Sequence, residues 1–134
     1  MKRKPLLFLA GLAALLAAAL LIRPHIGTRP FRDLTAGDIQ SVKLELFPPN
    51  VEFTLTPEEI GELVPLLNGV VVYRRDDSYW EYNGQACIFT LTLTDGSQTV
   101  VSPYNPFLIV DSEGWRTKSE PCAALSRFAN TLRN

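Results

Sequence analysis

Ala86-Cys87-Ile88-Phe89-Thr90-Leu91-Thr92-Leu93-Thr94 decides the fold, because it alternates without a break. Successive side chains of a strand point to opposite faces, so Cys87, Phe89, Leu91 and Leu93 share one apolar face and Ile88, Thr90, Thr92 and Thr94 share the other. The apolar set predicts a strand laid against a core, with Cys87 pointing inward. Asp95-Gly96 follows, the residue pair that tolerates a two-residue hairpin turn, and Gln98 to Ser102 reads as the returning strand.

Working outward, Leu108 to Asp111, a turn at Ser112-Glu113-Gly114 and Trp115 to Lys118 predict a second hairpin. A final helix spans about Glu120 to Arg133, where Cys122, Leu125, Phe128, Ala129 and Leu132 recur at spacings of three and four. Upstream, Val42, Leu44 and Leu46 alternate with polar residues, Pro48-Pro49-Asn50 turns the chain, and Val51, Phe53 and Leu55 alternate again. Thr56-Pro57-Glu58-Glu59 is a capping box with proline at the first helical position. Ile60, Leu63, Val64 and Leu67 form the core stripe of the helix it opens, and Asn68-Gly69 stops it. Pro65 removes the hydrogen bond to the Gly61 carbonyl, so a kink or an early end is expected. Val70 to Tyr73 reads as a strand, and Arg74 to Gly84 is polar and aromatic without clear period. Hairpins with two helices predict an α+β fold, an antiparallel sheet covered on one face by two helices.

Ahead of this domain runs Leu6 to Ile22, seventeen residues without a charge, fenced by Lys2-Arg3-Lys4 and Arg23. At about 1.5 Å of rise per residue such a helix covers roughly 25 Å, and Arg23 can snorkel to close the gap to a bilayer's thickness. The segment reads as an N-terminal transmembrane helix. A cleaved signal is the alternative, but its best cleavage site, Ala17-Ala18-Ala19, lies inside the apolar run. Either way the remainder is exported, although Arg23, Arg29 and Arg32 match the basic residues on the short side. The expected organisation is an anchor or signal at residues 1–23, a juxtamembrane linker at 24–37 and an extracytoplasmic domain at 38–134. Ala10, Ala14 and Ala18 repeat at helical spacing, a weak motif for anchor pairing.

Charge is divided along the chain. Residues 1–32 hold six Lys/Arg and no acid, whereas the rest holds seven Lys/Arg against fourteen Asp/Glu, a net of −7. An acidic domain argues against nucleic acid as a partner, since phosphate needs a basic face. Two cysteines in an exported domain suggest a Cys87–Cys122 disulfide, worth roughly 4 kcal/mol for a loop of about 35 residues. Burial alone also accounts for both positions, as two free core thiols.

Phe31-x-x-Leu34, Asp38-Ile39-x-x-Val42, Leu55-Thr56-x-Glu58-Glu59-Ile60, Leu91-Thr92-Leu93-Thr94-Asp95-Gly96 and Asn105-Pro106-Phe107-Leu108-Ile109-Val110-Asp111 together resemble the small membrane-anchored or lipoprotein-type domains of unknown function of Firmicutes. The resemblance covers most of residues 31–134. It implies a location, the cell envelope of a Gram-positive bacterium, and carries no activity.

The only histidine, His25, lies outside the domain, which removes ordinary Ser-His-Asp and Cys-His arrangements and histidine-rich zinc sites. Asp76-Asp77 and Asp111-Ser112-Glu113-Gly114 offer too few oxygens for calcium and read as turns. Asp76, Asp77, Glu81, Asp111 and Glu113 allow many carboxylate pairings for glycoside hydrolysis and select none. Cys122 stands near a helix start, where the dipole can activate a thiol, but beside acidic Glu120. No cofactor or metal is expected. The aromatic residues Tyr79, Trp80, Tyr82, Tyr104 and Trp115, with Arg74 and Arg75, are the candidate binding residues, because flat rings bury large area at low entropic cost. The expected function is a membrane-anchored, non-catalytic binding or protein-interaction domain, with a protein or a cell-wall glycan as partner. An envelope enzyme using carboxylates or a cysteine, and an accessory subunit of a membrane complex, are the alternatives.

Overall fold

The structure, a computed structural model, describes residues 27–133. Seven strands and two helices follow one another as β1 (Ile39–Phe47), β2 (Val51–Thr54), α1 (Pro57–Asn68), β3 (Val72–Arg75), β4 (Ala86–Leu93), β5 (Gln98–Tyr104), β6 (Phe107–Val110), β7 (Glu113–Thr117) and α2 (Ser119–Leu132). The fold is α+β, with all seven strands in one antiparallel sheet of order β2-β1-β4-β5-β6-β7-β3.

Alternation in the sequence becomes two-sidedness in the sheet. Val42, Leu44 and Leu46 of β1 stand opposite Leu91, Phe89 and Cys87 of β4, and Phe89 stands opposite Val101 of β5. All seven side chains are buried, and they form one cluster with Leu108, with Ile60, Leu63, Val64 and Leu67 of α1, and with Leu125 and Ala129 of α2. Burying such aliphatic side chains is worth about 1.5–3 kcal/mol each, which makes this cluster the main source of stability. The opposite parity, with Lys43, Glu45 and Phe47 on β1, Ile88 on β4 and Val100 and Ser102 on β5, points away from the helices.

Helix α1 starts as its sequence dictates. The Thr56 hydroxyl accepts from the Glu59 amide at 3.2 Å, and the Glu59 carboxylate accepts from the Thr56 amide at 2.8 Å. The helix does not end early at Pro65 but runs on to Asn68. Gly61 and Pro65 are both exposed, so the carbonyl that loses its partner can turn to water. Strand β3 begins two residues later than the sequence suggests, because the Val70 amide closes the helix exit onto Leu67 O at 3.1 Å.

Residues 27–37, read from sequence as part of a linker, lie along the domain. Thr28 and Val72 exchange two backbone hydrogen bonds of 2.8 Å, extending the sheet beyond β3 by one bridge. The Asn68 amide donates to the carbonyls of Phe31 at 2.6 Å and Leu34 at 3.0 Å, and Arg29 Nε donates to Asn68 O at 2.9 Å. No helix among the described residues is long and apolar enough to cross a membrane. The apolar run Leu6 to Ile22 and His25 lie outside the described residues.

Leu63 is fully buried where α1 meets the sheet cluster, so Leu63→Ala should lower the unfolding free energy by about 2–5 kcal/mol in denaturant titration. A loss below about 1 kcal/mol would mean that α1 does not seat on that cluster.

Candidate functional site

The site follows from one awkward connection. Strand β3 is at the edge of the sheet and β4 is near its middle, with β7, β6 and β5 between them. At about 4.8 Å per strand the chain must travel roughly 19 Å, and residues 76–85 do so across the face away from the helices.

Two carboxylates fasten the start of that crossing. Asp76 accepts from the Ser78 amide at 3.0 Å, the Ser78 hydroxyl at 2.6 Å and Arg116 Nε at 2.8 Å. Asp77 accepts from the Gly114 amide at 2.8 Å and from the Arg75 guanidinium at 2.8 Å. The Ser78 hydroxyl bond, followed by the Arg116 bond, holds the Asp76 carboxyl far below the usual carboxylate range. The Gly114 amide, followed by Arg75, lowers Asp77 in the same direction. Gly114 has to be glycine: a Cβ there would strike the Asp76 carbonyl oxygen and sit 2.6 Å from Tyr79 Cδ1.

A short 3-10 turn, Ser78–Glu81, then lifts the aromatic residues over the sheet. Tyr79 and Tyr82 both meet Phe107 edge-on, at centroid separations of 6.4 and 5.2 Å, and the Arg116 guanidinium covers the same ring at 4.7 Å. Gly84 passes against the Tyr104 ring. Phe107 is thereby fully buried on a face that sequence periodicity alone would leave to solvent.

What remains open is a groove of about 400 Å³. Its walls are Tyr79, Trp80, Tyr82 and Tyr104, and its floor is Ala86, Ile88, Val100 and Ile109. Trp80 is 75 % exposed at the rim. Among the described residues no charged side chain lines it; the Ser102 hydroxyl donates to Cys87 O at 2.6 Å and the Tyr79 hydroxyl donates to Ser112 O at 3.1 Å, while Trp80, Tyr82, Tyr104 and Ser112 bring further polar groups to the lining. A larger hollow of about 610 Å³ is lined, among the described residues, by residues 27–34, which gather no comparable aromatic cluster.

The sequence candidates therefore divide. Tyr79, Trp80, Tyr82 and Tyr104 converge on the groove. Trp115 does not; it stands opposite Leu108, on the helix side, under the Arg75 guanidinium at 5.4 Å. Arg75 is tied to Asp77 and Glu113 rather than open to an anion, and Arg74 is exposed on β3. The floor residues Ile88, Val100 and Ile109 escaped the sequence reading. Their signal was present in Ile88, an aliphatic residue on a face otherwise made of threonines.

Cys87 and Cys122 are both buried and free, and the expected bridge between them is not formed in this structure. Each is explained by the inward stripe of its own element. Burial, with a contribution from Cys122, pushes the Cys87 thiol up to about 12, and burial raises Cys122 to about 11. Both are held as neutral thiols, contrary to what a nucleophile requires. Among the described residues no group of three or more His, Cys, Asp or Glu could hold a metal. Asp111 serves its turn, accepting from the Val100 amide at 2.8 Å, with φ of 49° there and 70° at Ser112.

Because Asp76 and Asp77 titrate lower in the folded chain than when unfolded, their stabilisation is present above about pH 4 and is lost as pH falls through their folded values. Unfolding free energy should therefore decline below about pH 4, and Asp76→Asn should flatten that decline. Gly114→Ala should displace residues 76–82, seen as a change in tryptophan and tyrosine near-ultraviolet circular dichroism with the far-ultraviolet spectrum retained.

No family model, no curated protein and no solved structure matches this chain.

Proposed function

We propose that this chain is a membrane-anchored, extracytoplasmic protein-interaction domain without catalysis, whose contact surface is the aromatic groove on the helix-free face of the sheet. The observation that carries the reading is the convergence of Tyr79, Trp80, Tyr82 and Tyr104 around an apolar floor, with Trp80 standing in water at the rim. Exposed clustered aromatics of this kind mark contact surfaces, and tryptophan and tyrosine dominate binding energy where they are found.

The lining favours a protein segment over a glycan. A sugar brings hydroxyls that need hydrogen-bond partners once they leave water, and each one left unmatched costs about 1–3 kcal/mol. Among the described residues the groove has no carboxylate, amide or guanidinium to meet them, and beyond the Ser102 and Tyr79 hydroxyls, which donate internally, it offers only the Tyr82, Tyr104 and Ser112 hydroxyls and the Trp80 indole N–H around a mainly apolar floor. Apolar side chains make no such demand. The enzyme alternative is supported by nothing comparable: the thiols are buried and neutral, and Asp76 and Asp77 are occupied in fastening the crossing segment.

The anchored setting rests on Leu6 to Ile22 and its basic flanks, and the acidic domain suits the aqueous side of a membrane better than a nucleic acid. The cell envelope of a Gram-positive bacterium is the corresponding location. Protease added outside intact protoplasts should remove the domain while fractionation recovers the chain with membranes.

Trp80→Ala should reduce recovery of the partner from native membranes by about tenfold or more, while Trp115→Ala, on the other side of the sheet, should leave it unchanged. Equal recovery with wild-type and Trp80→Ala chains would overturn the groove as the contact.

A further inference from the structure

The groove has a sign as well as a shape. Its floor side chains Ile88, Val100 and Ile109 are only half-buried, and carboxylates stand around them. Register places Glu45 of β1 directly beside Ile88, and Glu52 of β2 directly beside Glu45, so both acids lie on the helix-free face. Glu81 is exposed between Trp80 and Tyr82, two of the groove walls. The Asp111 carboxylate accepts from the amide of Val100, a floor residue, at 2.8 Å.

The bases of this face do not cancel that charge. Lys43 is taken up by Glu45 at 3.6 Å and Arg116 by Asp76 at 2.8 Å, while Arg75 lies between Asp77 and Glu113. Among the described residues Glu52, Glu81 and Asp111 have no ion pair. Arg74 has none either, but it stands opposite Arg116 on edge strand β3, two strands beyond β6 and its floor residue Ile109. Lys118, Arg127 and Arg133 belong to α2 and its caps, and Arg29 binds Asn68 O at the end of α1. The surroundings of the groove are therefore acidic.

We propose that the groove binds a cationic polypeptide segment, with an aromatic or aliphatic side chain seated on Ile88, Val100 and Ile109 and flanking lysine or arginine residues that reach Glu52 and Glu81. Charge complementarity selects such a partner. Neighbouring strands are about 4.8 Å apart, so Glu52 lies roughly 10 Å from Ile88, a span that an extended chain covers in about three residues. A basic residue at that spacing from the apolar anchor falls over Glu52. One on the opposite flank meets Glu81 and the open ring of Trp80, whose face also attracts a guanidinium. An acidic segment, an anionic lipid surface or a second copy carrying the same carboxylates would meet like charge there. This inference names the partner for the interaction reading of the groove and rests on it.

The test uses the full-length chain, held in phosphatidylcholine nanodiscs, to select from a displayed library of short random peptides. Relative to a Trp80→Ala bait, the wild-type chain should enrich an apolar anchor with lysine or arginine nearby by about threefold or more, the discrimination that exposed ion pairs supply. Glu52→Gln combined with Glu81→Gln should abolish the basic bias and keep the anchor; both residues are exposed, so the core is untouched. Anchor enrichment without basic bias, or a basic bias that survives the double glutamine variant, overturns the cationic partner and keeps the groove as a protein-binding site. No enrichment over the Trp80→Ala bait overturns both readings. Prior incubation with excess untagged chain or with phosphatidylcholine vesicles should leave the selection unchanged, and its loss with either one overturns the proposal in favour of a second copy or a lipid surface.

Discussion

Ten residues, 76–85, must carry the chain from the edge strand β3 back to β4 near the middle of the sheet, and most of what distinguishes this domain follows from that constraint. The helix side is already filled by α1, α2 and the apolar cluster, so the return path lies over the other face. A segment that crosses a sheet face has to be fastened at its start and must present something apolar beneath. Asp76 and Asp77 provide the first, through Arg116, Arg75 and the Gly114 amide, and Tyr79 and Tyr82 provide the second over Phe107. The groove is the part of the face that ten residues do not cover.

How much of this could be read in advance depends on the range of the interaction. Strict alternation from Cys87 to Leu93 and the capping box at Thr56 are local signals, and they gave the central strand and the start of α1 correctly. The antiparallel α+β class followed from hairpin turns and two stripes at helical spacing. The placement of β3 at the far edge was not legible, because it depends on how α1 crosses the core rather than on anything within Val70 to Arg75. That one long-range fact separates Trp115 from Trp80. Both are aromatic residues in polar surroundings in the sequence, yet the first is half-buried on the helix side and the second stands in water on the other. Arg75 was open to an anion-binding reading for the same reason, until the fold set Asp77 and Glu113 beside it.

The shifts at Asp76, Asp77, Cys87 and Cys122 come from the way the domain is built. Lowered carboxylates at Asp76 and Asp77 are the signature of groups occupied as hydrogen-bond acceptors, not of a general acid awaiting a proton. Raised thiols at Cys87 and Cys122 reflect burial within the core. The groove itself is lined, among the described residues, by aromatic, aliphatic and hydroxyl side chains.

The pair of backbone hydrogen bonds between Thr28 and Val72 has a mechanical meaning. Tension entering from the N-terminal side reaches this bridge, and the neighbouring Arg29 and Asn68 contacts, before it reaches any strand of the sheet. Two such bonds at an outer edge can be peeled in succession under a modest pull, whereas β1 and β4 share a long ladder in the interior. The first element to yield would be the strap, freeing several residues ahead of β1 while the folded body and its groove stay whole.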